Sequence, residues 1–186
     1  CIRDSTDPVR DPKNEAALRD FLGKWGPEVN SKDTEAAQIN FEEQCEATIA
    51  LGPSVISSIM GIYPAPFVAR LKNQGIKWFA TVTSVTEALA AEAAGADVIV
   101  AQGMEAGGHR GSFNAEDVSR SLVGLFSLLP AVVDAVKIPV VATGGIGDAR
   151  GIAAALLLGA SAVQIGTGLL RTPESGITSA WANAIG

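Results

Sequence analysis

The chain's single histidine, His109, stands in the loop Ala101-Gln-Gly-Met-Glu-Ala-Gly-Gly-His-Arg-Gly111, which also holds four glycines. Imidazole takes or gives a proton near neutral pH, so this is the side chain best suited to acid–base work. A lone histidine is often only structural. Here it lies in a glycine-rich loop beside Glu105 and Arg110, where Gly107-Gly108 lets backbone amides approach a ligand without Cβ obstruction. Two further glycine sites are Thr143-Gly-Gly-Ile146 and Gln164-Ile-Gly-Thr-Gly168. Singly, each is ordinary turn chemistry after a strand. As a pair on consecutive strands they suit a phosphate cradle, with amides from Gly144 and Gly145 on one side and Gly166 with the Thr167 amide and hydroxyl on the other. Such a cradle requires no lysine.

These loops need strands to hold them. Apolar runs at 54–60, 77–83, 97–102, 138–143 and 162–166 are mostly β-branched and continuous, as strands covered on both faces must be. Their starts are spaced by 23, 20, 41 and 24 residues, which describes a repeated βα unit with one expanded member, the one carrying His109. Ser84-Val-Thr-Glu87 is a capping box ahead of an alanine-rich helix ending at Gly95, Asp148 can cap a helix over 149–158, and Thr172-Pro173 places proline at a first helical turn. Parallel topology follows. Periodicity alone does not choose between a closed βα barrel and an open doubly wound sheet, but glycines at the strand ends favour the barrel, whose chemistry sits there.

Residues 1–35 are different: they hold 14 of the 34 charged residues, with Pro8, Pro12 and Pro27. They read as part of a solvated, peripheral lead-in over 1–39, ahead of a barrel domain over 40–186, with one exposed helix over 14–25 carrying Leu18, Phe21, Leu22 and Trp25. The first residue is Cys1, with no signal-peptide pattern after it, so the start reads as an internal cut.

The whole chain has 186 residues, 47% apolar and 18% charged, with a net charge of −6; it should fold. The acidic balance and the lack of a basic run argue against nucleic acid or an anionic membrane as partner. The longest strongly apolar stretch, 152–163, is too short to span a bilayer and is broken by Gly159. Cys1 and Cys45 show no metal-ligand spacing and no disulfide framework, so a cytoplasmic, reducing location is expected. Rossmann, P-loop and nucleophile-elbow glycine motifs are all missing.

Together, Gln102-Gly-Met-Glu-Ala-Gly-Gly-His-Arg-Gly111, Pro139-Val-Val-Ala-Thr-Gly-Gly-Ile-Gly-Asp-Ala-Arg150 and Gly159-Ala-Ser-Ala-Val-Gln-Ile-Gly-Thr167 resemble the nitronate monooxygenase family, formerly the 2-nitropropane dioxygenases. The resemblance runs from about Phe41 to the C-terminus and leaves out the lead-in. It implies an FMN-binding TIM barrel that oxidises alkyl nitronates with O2 to carbonyl compounds and nitrite, without a reduced nicotinamide. It also implies flavin contacts at Gln102 and Gly107, phosphate contacts at Gly144, Gly145, Gln164, Ile165, Gly166 and Thr167, and an active-site role for His109 as base or substrate-orienting group. A bound flavin would carry the redox chemistry, which explains the lack of a catalytic triad or metal cluster in the sequence.

Five strands are legible where a barrel has eight. The expectation is therefore a TIM-barrel fragment of about five βα units, with apolar edges at 54–60 and 162–166 open to self-association or a complementary chain. Two other readings stay open. One is a flavin-dependent enoyl-acyl-carrier-protein reductase, which has a similar Glu-x-Gly-Gly-His loop, although Glu105-Ala106-Gly107 fits the first family better. The other is an inactive fragment that acts only through association with another chain. An IMP dehydrogenase-like reading is poorer, because no cysteine lies in the expected loop, and Cys45 reads as packing.

Overall fold

In the computed structural model, residues 11–26 and 40–185 are described; the rest of the expected lead-in, 1–10 and 27–39, lies outside them. Two compact units divide between Ala47 and Thr48. In the first, helix α1 spans Pro12–Leu22, with Asp11 accepting from the Lys13 N–H at 3.0 Å and proline in the first turn. It starts two residues earlier than the apolar spacing alone suggests, because Asp11-Pro12 is itself a start signal. Leu18, Phe21, Leu22 and Trp25 are all more than half exposed. Helix α2, Phe41–Ala50, crosses the division.

The second unit is a parallel sheet with helical crossovers. Strands β1 (Val55–Ser58), β2 (Lys77–Val82), β3 (Val98–Gln102), β4 (Val140–Thr143) and β5 (Ala162–Gln164) alternate with α3 (Ala65–Asn73), α4 (Val85–Ala93), α5 (Leu125–Ala135) and α6 (Ala149–Leu157). A short helix α7, Ser179–Ile185, follows β5 after two 3-10 turns at Thr167–Arg171 and Pro173–Ser175. Thr172-Pro173 thus opens a single tight turn rather than an α-helix. All four strand pairings are parallel and the spatial order is β1-β2-β3-β4-β5. An order that never reverses has no topological switch point, so every right-handed crossover lies on the same face. This settles what periodicity left open: the five βα units form an arc of a TIM barrel.

The helix-covered face is dry. Trp78, Ala80, Val82, Ile99, Ala101, Val140 and Ala142 are at most 3% exposed. Trp78 donates its indole N–H to the buried Ser58 hydroxyl at 3.0 Å, and its ring lies 5.4 Å from that of Tyr63. Alanines at 88 and 91 let α4 lie close on β2 and β3. The opposite face reads differently from the doubly covered strands expected: Phe79, Thr81, Val141 and Thr143 are half-buried, and Val55, Ala162 and Gln164 are exposed. Period-two alternation turns these side chains toward the barrel axis, where an arc of five strands leaves the interior open.

At the N-terminal end of the strands, Asp97 accepts from Lys72 Nζ at 2.6 Å, Lys77 Nζ at 3.2 Å and the Trp78 N–H at 2.9 Å. Burial alone would raise its carboxyl, but the hydrogen bonds from Lys72, Trp78 and Lys77 outweigh that and hold it below its ordinary value. Asp97→Asn should therefore cost about 1–2 kcal/mol in urea unfolding at pH 7. A depressed carboxyl stabilises the fold above its unfolded-state value and stops doing so as pH falls through its folded-state value. The gap between wild type and variant should accordingly close below about pH 4; a gap that persists at pH 2 would assign the loss to packing.

Candidate functional site

All three glycine-bearing loops leave the C-terminal ends of their strands and meet around one open groove of about 840 Å³. Every residue singled out by the sequence, namely Gln102, Gly107, His109, Gly144, Gly145, Gln164, Ile165, Gly166 and Thr167, lines it. Register explains the convergence. Gln102 pairs with Thr143 and Thr143 with Gln164, so three side chains form one inward-facing row at the strand ends. Thr143 adds a cross-link by donating its hydroxyl to the Gln164 carbonyl at 2.9 Å.

The phosphate-type loops have the backbone that close approach needs. Gly144 and Gly145 sit at φ +113° and +66°, where L side chains are strained. A Cβ on Gly107 would stand 2.6 Å from Thr167 Oγ1, which places the loops after β3 and β5 in direct contact. Among the described residues, the N–H groups of Gly145, Gly166 and Thr167 donate to no protein acceptor. Amides left free at a groove are available to an anion.

The histidine loop is held by its backbone. Gln102, 6% exposed, donates its amide to the His109 carbonyl at 2.9 Å and accepts from the Gly111 N–H at 2.7 Å. Arg110 donates to the carbonyls of Gly103 at 2.9 Å, Gln102 at 3.3 Å and Ser121 at 3.5 Å. Burial lowers the Arg110 guanidinium from its ordinary value, while the charges of Glu87 and Glu105 oppose that shift. His109 itself is exposed at the groove. The arrangement fixes the main chain and leaves the imidazole exposed at the groove.

Glu105 works elsewhere. Both of its oxygens accept from the Leu125 N–H at 3.0 Å, at the start of α5, whose N-cap residue is Gly124 and has no side chain to offer. The carboxylate supplies the missing cap and meets the positive end of the helix. Sequence reading passed over Thr81, Ile59 and Arg171, which also line the groove. Inward alternation on β2 points to Thr81. Arg171, four residues past Thr167, brings a cation to the same groove.

Comparison with known proteins agrees with this fold. The family described as nitronate monooxygenase matches residues 6–185. That match enters the charged lead-in, beyond the start near Phe41 that the motifs suggested, because the motifs lie only at strand ends. A relative in Staphylococcus saprophyticus, a probable nitronate monooxygenase, is 45% identical over 147 residues, which are 78% of this chain and 41% of the relative. Nitroalkane oxidase from Streptomyces ansochromogenes superposes with a TM-score of 0.73 at 42% identity, over 77% of this chain and 42% of that one. FabK from Thermotoga maritima gives 0.66 at 29% identity, over 95% and 53%. The chain thus spans about two-fifths of the length of the curated relative.

Proposed function

We propose, from the premise that this chain belongs to the nitronate monooxygenase family, that it forms the flavin-phosphate cradle and the histidine side of an enzyme that oxidises alkyl nitronates with O2. The products would be a carbonyl compound and nitrite. The observation that carries this reading is the convergence of His109 with Gly107, Gly144, Gly145, Gly166 and Thr167 on one groove.

The residues present fit FMN at its phosphate end. Free amides at Gly145, Gly166 and Thr167 suit phosphate oxygens, the positive-φ glycines keep side chains out of the cradle, and Arg171 adds a positive charge at the same groove. Gln164 and Ile165 would contribute backbone and wall beside it. When bound, FMN supplies the oxidation–reduction chemistry between substrate and O2. His109 would take a proton or, when charged, hold the nitronate anion. Gln102 lies at the groove, but its amide is committed to the His109 loop, so its contribution to a flavin site would be to hold that loop.

Strand edges enter the same proposal. β1 and β5 are each paired on one side only among the described residues, and further strands of the same protein or of another chain would cover the open sides. Cys45, a buried cysteine in no disulfide, suits a reducing, cytoplasm-like location. Among the described residues no helix is long and apolar enough to cross a membrane.

The decisive assay loads the protein with FMN and follows nitrite release and O2 uptake with a nitronate such as that of a simple nitroalkane. Turnover without added nicotinamide is expected, and NADH or NADPH should not bleach the flavin rapidly. Fast bleaching by either would replace this reading with that of the enoyl-acyl-carrier-protein reductase. FMN that fails to bind would favour a fragment active only in association.

A further inference from the structure

The geometry points to Glu87 as a positioning residue for His109, an inference that rests on the reading of the histidine loop given above. Glu87 lies on α4, on a neighbouring βα unit, and the capping box at Ser84-Val-Thr-Glu87 already gives it a local task. In such a box the glutamate ordinarily reaches back to the N-cap N–H. Here Glu87 Oε2 accepts instead from the N–H and hydroxyl of Thr83, at 2.6 and 2.8 Å. Its other oxygen, Oε1, accepts from the Phe113 N–H at 2.8 Å and shares the proton of the Ser112 hydroxyl, 3.3 Å away, with the Asn114 carbonyl at 3.1 Å.

One carboxylate therefore ties the end of β2 to the far side of the histidine loop. Thr83 is fully buried and Ser112 is 6% exposed, so neither end of the tie rests on a solvated contact. Gln102 and Arg110 fix the near side of the loop at residues 109–111. Glu87 fixes residues 112 and 113. Without it, residues 112 and 113 would lose their hydrogen bonds to the α4 unit. A carboxylate suits this site because each of its oxygens faces a backbone N–H, which can only donate, and a glutamine would set its own NH2 against one of them.

Three variants separate positioning from helix capping. Glu87→Gln keeps side-chain length but cannot serve both loops. Ser84→Ala removes the hydroxyl that accepts from the Glu87 N–H, so it weakens the start of α4 without touching the histidine loop. Ser112→Ala trims the loop side alone. Amide hydrogen exchange over residues 109–113 is expected to accelerate about tenfold in Glu87→Gln and about threefold in Ser112→Ala. In FMN-loaded protein, Glu87→Gln should lower kcat at least about tenfold with KM nearly unchanged. Ser84→Ala should lower Tm while leaving both loop exchange and kcat within about twofold of wild type.

Equal loop exchange in wild type and both Glu87→Gln and Ser112→Ala would overturn the inference. So would a Ser84→Ala variant that matches Glu87→Gln in kcat, since helix capping alone would then explain both. Exchange is read without turnover. An inactive wild type would therefore count against the nitronate reading and leave the anchoring result to stand or fall separately.

Discussion

On the proposed nitronate oxidation, His109→Ala is expected to lower kcat/KM by a factor of about 10² to 10⁴, the usual contribution of a positioned acid–base group. The residue is exposed at the groove, and the main chain around it is held by Gln102 and Arg110 rather than by the ring. Removing the imidazole should therefore leave the loop in place, with stability within about 0.5 kcal/mol of wild type and FMN binding intact. His109→Asn separates the two tasks an imidazole could perform. An amide can donate a hydrogen bond to an anion but cannot accept a proton at neutral pH, so substantial rescue would mean anion holding, and none would mean proton transfer. Unchanged turnover in His109→Ala would remove the residue from the chemistry altogether.

Why the site was so legible in the sequence while its supports were not is a matter of range. Gly144 and Gly145 announce themselves because they directly follow an apolar run, Gly166 because it closes one, and Gly107 because its loop is glycine-rich, all places where backbone freedom has a local meaning. Ser84 and Asp148 cap α4 and α6 as read, since a cap is a contact over two or three residues. Glu87 was legible as a cap for the same reason. Its second oxygen was not, because the partner N–H lies 26 residues away on another loop. Glu105 shows the same limit, with its helix partner 20 residues on.

The fold divides along the same line. Strand positions follow from apolar runs, and β1 to β5 fall inside the five intervals expected. Barrel against doubly wound sheet is a question of lateral order, which no single strand encodes. Continuous apolar strands also suggested burial on both faces, yet Val55 and Ala162 stand exposed. Sequence reports the surroundings a strand is built for, and five strands supply only one of the two layers.

Gly103→Ala is expected to have the largest effect on stability of any single methyl added to the histidine loop. A Cβ there would stand 2.5 Å from Leu125 Cβ and 2.8 Å from the Leu125 backbone nitrogen. Neither is the yielding tip of a long side chain. Leu125 is the first residue of α5, is 8% exposed, and gives its N–H to Glu105. Making room means shifting the start of the helix, breaking that bond and disturbing the Gly103 carbonyl that Arg110 holds. Overpacking of this kind with a lost hydrogen bond to a charged group should cost about 3 kcal/mol or more, seen as a Tm drop of about 6–12 °C. Gly108→Ala is the informative contrast: it has φ +77° but nothing within 4 Å of the added methyl, so it should cost only the left-handed strain of about 1–2 kcal/mol. If the two variants melt together, backbone conformation rather than the α5 contact limits this loop; if Gly103→Ala also releases FMN while Gly108→Ala retains it, the start of α5 sets the position of the groove as well as its stability.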